Sequence, residues 1–267
     1  MNLLGRILKQ DVLKGVAKYS SFQKISPAIL NSRGNLDSEF PSDFSETEKE
    51  DIRVVQQYTM TSPERLVALC RSVDYLVNSQ LEGDIVECGV WRGGSMMLIA
   101  KRLARLGLLN KKLFLFDTFE GMSAPGGKDV SLLTQETAKD LLDKSDRLKG
   151  DNVWCNSSLE EVKKNLQTVP YPQNQILYIK GKVEDTLPND SIKRICLLRL
   201  DTDWYESTKH ELDTLYDQLV VGGILIIDDY GHWQGCRKAV DEFMAKRGLN
   251  LFFNRMDYTG RIAIKTK

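Results

Sequence analysis

Neither a disulfide framework nor a zinc centre fits the cysteines of this chain. There are five in 267 residues, at Cys70, Cys88, Cys155, Cys196 and Cys236, odd in number and without a CxxC pair. Cys88 and Cys196 fall in apolar strand contexts and read as small core residues; a reducing cytoplasm is the compartment this usage fits. Net charge is missing too, since 37 Lys and Arg offset 37 Asp and Glu. No global field therefore recruits nucleic acid or an anionic membrane. Long apolar runs are absent, none approaching the ~20 residues of a membrane span. Histidine is scarce, with His210 and His232 alone. No internal repeat or low-complexity tract breaks the chain, whose length allows one large core.

The densest chemistry lies between Leu197 and Gly235. Two apolar runs, Ile195 to Leu200 and Ile224 to Ile227, each stop at acids: Asp201 and Asp203 after the first, Asp228 and Asp229 after the second. Between them Thr208, Leu212, Leu215 and Leu219 recur at helical spacing over Tyr205 to Leu219, and Gly222 with Gly223 reads as the stop. This is a βαβ unit. Its strands run parallel, neighbours lie roughly 4.8 Å apart, and both aspartate groups reach the same C-terminal sheet edge, where open α/β sheets bind ligands. Carboxylates gathered there repel unless protons or a cation sit among them. Oxygen ligands suit Mg²⁺, Ca²⁺ or Mn²⁺ rather than zinc. The competing reading is a set of helix caps and solvated loop acids.

A second informative stretch is DIVECGVWRGGSMMLIAKRLARLG. Asp84 to Cys88 reads as a strand, Gly89 to Gly94 as a glycine-rich turn and Ser95 to Leu106 as a helix. That arrangement lets backbone approach a nucleotide cofactor. The spacing departs from GxGxxG, and Glu87 at the strand end suits a cationic ligand group, such as the ammonium of an amino-acid moiety, better than a pyrophosphate. The next strand, Lys112 to Phe116, ends at Asp117, where such folds hold a ribose diol. Phe119 to Lys128 reads as a mobile loop able to close over the site. Ser62, Pro63 and Glu64 make a strong helix start, with Leu66, Leu69, Val73 and Leu76 on the buried face; Tyr58 to Thr61 before it offers backbone and hydroxyls to a ligand.

Further elements follow from periodicity. A short helix is expected over Glu46 to Gln57, and another over Ser131 to Leu148 with Leu132, Leu133, Leu141, Leu142 and Leu148 buried. A strand is expected over Val153 to Cys155, a helix over Leu159 to Leu166 and a strand over Gln175 to Ile179. That strand leads into Val183 and Glu184, an apolar residue and an acid suited to an adenine. Leu249 to Arg255 and Arg261 to Lys265 straddle a Tyr-Thr-Gly turn as a hairpin. At the N-terminus Leu4, Ile7, Leu8 and Val12 share a helical face. Arg6, Lys9, Gln10 and Asp11 interrupt it, so it lacks the continuous apolar core of a signal peptide; docking on its own domain or on a second subunit is expected ahead of contact with a membrane surface. Pro27 to Glu50 reads as a polar arm.

Five blocks, VECGVWRGGS, FDTFEGM, GKVEDTLP, LRLDTDWYEST and LIIDDYGHWQGCRKAVDEF, resemble in order the macrocin O-methyltransferase family, over roughly four fifths of the chain. The resemblance implies an α/β, class I methyltransferase (Rossmann-like) fold. Its seven-stranded sheet ends in an antiparallel hairpin; residues 1–60 form a helical extension and arm, and residues 61–267 the methyltransferase domain. It implies S-adenosyl-L-methionine bound by Thr59, Met60, Glu87, Gly89, Val90, Trp91, Arg92, Gly93, Ser95, Asp117, Val183, Glu184 and Asp201. It implies Mg²⁺, or another divalent cation, at Asp201, Asp228 and Asp229, with Asp203 as general base. His232 is the rival base; His210 lies off the apolar stripe of its helix. Trp204, Tyr230 and Trp233 either stack on an acceptor ring or pack in the core. The implied partner is a small hydroxylated acceptor, a sugar of a glycosylated natural product or a phenol, and the implied assembly a homo-oligomer. A catechol-type phenolic methyltransferase, a metal-dependent hydrolase and a non-catalytic binding protein are the alternatives. The hydrolase leaves Glu87, the glycine turn and Asp117 unexplained.

Overall fold

Apolar runs that end in acids form the middle of one sheet in the computed structural model. The structure describes residues 40–148 and 152–267, and Phe44–Lys267 forms one unit. The N-terminal amphipathic helix and most of the polar arm lie outside the described residues. The strands are β1 Asp84–Cys88, β2 Leu113–Asp117, β3 Ile176–Lys180, β4 Ile195–Leu200, β5 Leu219–Ile227, β6 Asn254–Arg255 and β7 Arg261–Ile264. They hydrogen-bond in the order β3-β2-β1-β4-β5-β7-β6, with β7 antiparallel to both β5 and β6. Strand β4 is buried at every position, as a strand covered on both faces must be.

The helices are α1 Glu46–Val55, α2 Pro63–Asn78, α3 Gly94–Arg105, α4 Ala138–Lys144, α5 Leu159–Leu166, α6 Val183–Thr186, α7 Tyr205–Leu215 and α8 Gln234–Arg247. On one face Val86, Cys88, Leu198, Leu200, Leu225 and Ile227 share a core with Leu212 of α7 and Val240 and Phe243 of α8. Alternate residues, Ile85, Glu87, Leu197 and Arg199, point to the other face, where α2 meets β4 and α3 meets β2. Helix α2 starts as its sequence requires. Ser62 Oγ accepts from Arg65 N at 3.2 Å ahead of Pro63, a cap contributing about 1 kcal/mol. Leu66, Leu69, Val73 and Leu76 are buried, each worth about 1.5–3 kcal/mol over an exposed position. Among the described residues no helix is long and apolar enough to cross a membrane.

Several elements differ from the periodic pattern. Of the helix expected over Ser131 to Leu148, only Ala138–Lys144 forms. Val130 bridges Thr137 and Ser131 bridges Trp233, so tertiary pairing holds backbone that a helix would use, and Leu148 is 88% exposed. Val153 to Cys155 is a turn rather than a strand, closed by Cys155 N donating to Asn152 O at 3.0 Å. Helix α7 stops at Leu215 instead of Leu219, followed by a 3-10 turn at Tyr216–Gln218. Gly222 and Gly223 lie inside β5; Gly222 has φ +85°, and the pairing jumps from Ile195↔Leu219 to Leu197↔Ile224. The glycines serve a bulge, not a helix stop. In the C-terminal hairpin β6 keeps only Asn254–Arg255.

Candidate active site

The C-terminal ends of β1, β2, β4 and β5 meet at one edge, and close backbone approach explains the glycine turn there. Gly89 has φ +84°, and a Cβ on it would lie 2.0 Å from Asp201 O. Only glycine lets the β1 turn pass the end of β4. A Cβ on Gly94 would lie 2.6 Å from Tyr58 O and 2.7 Å from Thr59 Cβ, so the 58–61 loop covers the start of α3 and brings Thr59 to the turn. Met60 is half-exposed beside it. Ser95 is buried in α3, and the Arg92 guanidinium lies 4.8 Å from the Trp91 ring. Trp91, Phe119 and Asp203 have positive φ directly after β1, β2 and β4, a strain on the order of 1–3 kcal/mol each that concentrates at functional sites.

Asp117 anchors this turn. Its Oδ2 accepts from Val90 N at 2.6 Å and Trp91 N at 3.1 Å, and its Oδ1 from Phe119 N at 2.7 Å. Burial pushes its pKa up against those three backbone donors. Any hydroxyl bound at this carboxylate would share lone pairs already in use, and the Thr118 Oγ1 contact at 3.4 Å is the weakest to displace. Val183 is buried in the core cluster at the start of α6, with Glu184 exposed beside it.

Arg199, buried in β4 opposite Glu87 of β1 in register, holds the centre. Its Nη1 donates to Glu87 Oε1 at 2.6 Å and Asp201 Oδ2 at 2.7 Å, and its Nη2 to Asp228 Oδ1 at 2.6 Å. Arg65 of α2 pairs with the other oxygen of Asp228, and its Nε lies 2.9 Å from Asp257 Oδ2. Burial disfavours a charge on Asp228, but the two arginines outweigh it and hold its pKa below the ordinary value.

Asp201, Asp203 and Asp229 offer carboxylate oxygens that all lie within 4.8 Å of one another. Asp228, expected among the metal ligands with Asp201 and Asp229, faces the arginines instead, because two guanidinium groups on the α2 side occupy both its oxygens. Burial, then repulsion from Asp203 and Asp228, pushes Asp229 well up. Asp201 is also pushed up by burial, against Arg199 and with Asp228 and Asp229; its side chain is still 25% exposed, so the neighbouring acids weigh heavily here. Asp203 is pushed up to about 7 by burial and Asp201. With all acids ionised, Asp229 Oδ2 and Glu87 Oε2 are buried without a hydrogen-bond partner. Carboxylates so placed call for a proton between them or a cation.

Trp233 Nε1 donates to Asp203 Oδ2 at 3.1 Å, and Trp233 packs edge-on to Trp204 at 5.0 Å. Both tryptophans are buried, so they brace the aspartates rather than present open faces; Tyr230 stacks on Phe253 at 6.3 Å. The loop Phe119 to Lys128, expected to be mobile, is tied down. Trp204 Nε1 donates to Ser123 O at 3.0 Å, and buried Asp129 accepts from Gly126 N at 2.6 Å and from Tyr205 N, at the start of α7, at 2.8 Å. His232 sits edge-on to Trp233 at 4.7 Å, and burial with Arg65 nearby pushes its pKa down to about 4. His210 is half-buried, its Nε2 3.2 Å from Leu187 O, away from the aspartates.

Arg199, Arg65 and Asp129 escaped the sequence reading. The signal for Arg199 was visible, a charged residue inside an otherwise apolar buried strand. Arg65 and Asp129 carry no such mark.

Known proteins share this frame. The sequence profile described as Macrocin-O-methyltransferase (TylF) matches residues 1–264. The 8-demethyl-8-(2,3-dimethoxy-alpha-L-rhamnosyl)-tetracenomycin-C 4'-O-methyltransferase of Streptomyces olivaceus is 32% identical over 203 residues, 76% of this chain and 74% of that protein. The demethyldecarbamoylnovobiocin O-methyltransferase of Streptomyces niveus is 32% identical over 189 residues, 71% of this chain and 68% of its own length. Among solved structures, the O-methyltransferase NovP superposes with a TM-score of 0.68 at 30% identity, over 79% of this chain and 83% of that one. With its glycine turn, seven-stranded sheet and acidic strand edge, the chain belongs to the macrocin O-methyltransferase (TylF) family and is an O-methyltransferase.

Proposed function

We propose that this enzyme transfers a methyl group from S-adenosylmethionine to a sugar hydroxyl of a glycosylated natural product, assisted by Mg²⁺. The observation that carries the reading is an excess of acid beside the glycine turn, buried at Glu87 and Asp228 and half-buried at Asp201, Asp203, Asp229 and Asp257, against Arg65 and Arg199. Relatives support the acceptor class, one being named for a rhamnosylated tetracenomycin and another as a mycinamicin III 3''-O-methyltransferase.

When bound, the cofactor supplies an electrophilic methyl group on a sulfonium, and the divalent ion supplies positive charge where the acceptor hydroxyl ionises. Asp201 and Asp229 fit such an ion as hard oxygen donors, with Asp203 within the same 4.8 Å group. Glu87 Oε2, free of protein partners, suits the cofactor's ammonium. Asp117 fixes the path of the glycine turn through Val90 N and Trp91 N. Arg65 and Arg199 keep Asp228 ionised and in place. Trp233 Nε1 fixes Asp203 through Oδ2, and this carboxylate takes the acceptor's proton. His232 does not share that group of oxygens, which favours Asp203 as the base. Holding acceptor and methyl in line supplies the orientation part of the rate.

Purified protein incubated with S-adenosylmethionine, Mg²⁺ and a panel of rhamnosylated aglycones is expected to yield products heavier by one methyl group by mass spectrometry. EDTA should suppress them. Undiminished transfer in EDTA would remove the metal from this account, and no transfer to any glycoside would remove the sugar acceptor.

A further inference from the structure

Arg199 is where the cofactor side and the metal side of this edge touch. One nitrogen, Nη1, serves both Glu87 Oε1 at 2.6 Å and Asp201 Oδ2 at 2.7 Å. Nη2 adds Asp228 Oδ1 at 2.6 Å and Thr61 Oγ1 at 3.3 Å, the latter in the loop that covers the glycine turn. The side chain is 3% exposed, so these attractions are weakly screened, and the guanidinium keeps its charge throughout. One buried guanidinium charge is therefore divided among Glu87, Asp201 and Asp228.

We infer that Arg199 is a positioning residue that couples cofactor binding to metal binding. The inference rests on the methyltransferase reading above. A divalent cation at Asp201 would compensate that carboxylate's charge, leaving more of the single guanidinium charge of Arg199 to Glu87. With Oε1 held, Glu87 presents its unpartnered Oε2 to the cofactor's ammonium in one orientation. Linkage makes the effect reciprocal, so the cofactor tightens the metal by the same factor. Lysine at this position would keep the charge but lose the planar fork, and could not reach Glu87, Asp201 and Asp228 together.

The test is calorimetric titration of wild type and Arg199→Lys with S-adenosylhomocysteine, once in Mg²⁺ and once in EDTA. Wild type is expected to bind at least about fivefold tighter in Mg²⁺, and Arg199→Lys to bind with a ratio near one. Glu87→Gln provides a second route if the lysine variant does not fold: it keeps the shape and removes the charge that shares the Arg199 guanidinium, and its ratio should likewise fall toward one even where its affinity is lower in both conditions. A wild-type ratio of one, or an unchanged ratio in the variants, overturns the coupling while the methyltransferase reading stands. No binding of S-adenosylhomocysteine in either condition overturns both.

Discussion

In the helical layer, Arg102 of α3 makes a bidentate pair with Asp74, both contacts at 2.7 Å, and reaches Asp51 at 3.3 Å; Arg105 meets Asp51 at 2.8 Å. At the sheet edge, Arg199 and Arg65 likewise sit among buried acids. The two networks use the same residue types and comparable distances, but their balance differs. Around Asp51, the acids Glu50, Asp51 and Asp74 meet Lys101, Arg102 and Arg105. At the sheet edge acids outnumber arginines, and Glu87 Oε2 and Asp229 Oδ2 are left without partners. A balanced network, half-exposed around buried Asp51 and Arg102, ties α1, α2 and α3 together. An unbalanced one is stable only with added cations or protons, which is what a binding site for cationic ligands should look like before they arrive.

The largest effect should come from the unbalanced side. Asp201→Asn or Asp229→Asn is expected to lower methyl transfer on the order of 100-fold or more, while the melting temperature holds or rises because a repelling charge has gone. Steady-state rates beside a melting curve check both halves, and a variant with full activity would make the acidic excess incidental. Asp51→Asn is expected to do the reverse. It takes one acid from Arg102 and Arg105, which keep Asp74 and Glu50, and should cost about 2 kcal/mol, a fall of roughly 4–8 °C in melting temperature, with turnover per folded molecule unchanged. A rate loss without a melting shift would erase the distinction between the networks. Ser62→Ala should give the smallest effect. Its hydroxyl caps α2 and also donates to Asp257 Oδ2 at 2.7 Å, so a stability loss of about 1 kcal/mol is expected in denaturant unfolding. A loss several times larger would show that Ser62 supports the Arg65–Asp257 pair as well as its helix.

The same contrast explains what could be read in advance. The strand ends at Glu87, Asp117, Asp201 and Asp228 were legible because apolar runs stop there, and the start of α2 because Ser62 and Pro63 are local signals. Arg199 stands out locally as a charge in an apolar strand, but its meaning depends on β1 and β4 aligning in register with Glu87 opposite, which no local pattern states. Ser131 looked helical by its following leucines, yet pairing with Trp233 across the fold decided its backbone. Gly222 and Gly223 punctuate the chain as expected, but whether a glycine ends a helix or makes a bulge depends on the neighbouring strand. Likewise, the sequence leaves Trp204 and Trp233 equally open to stacking or core packing, and only the fold shows them turned inward with one indole on Asp203.

The most direct test of the central claim, that the acidic excess at the sheet edge is a cation site, is titration of the protein with Mn²⁺ followed by electron paramagnetic resonance. The account predicts one saturable bound ion, displaced by Mg²⁺ and lost in both Asp201→Asn and Asp229→Asn but kept in Asp51→Asn. A spectrum of free Mn²⁺ throughout, or binding undiminished in the Asp201 and Asp229 variants, would contradict it.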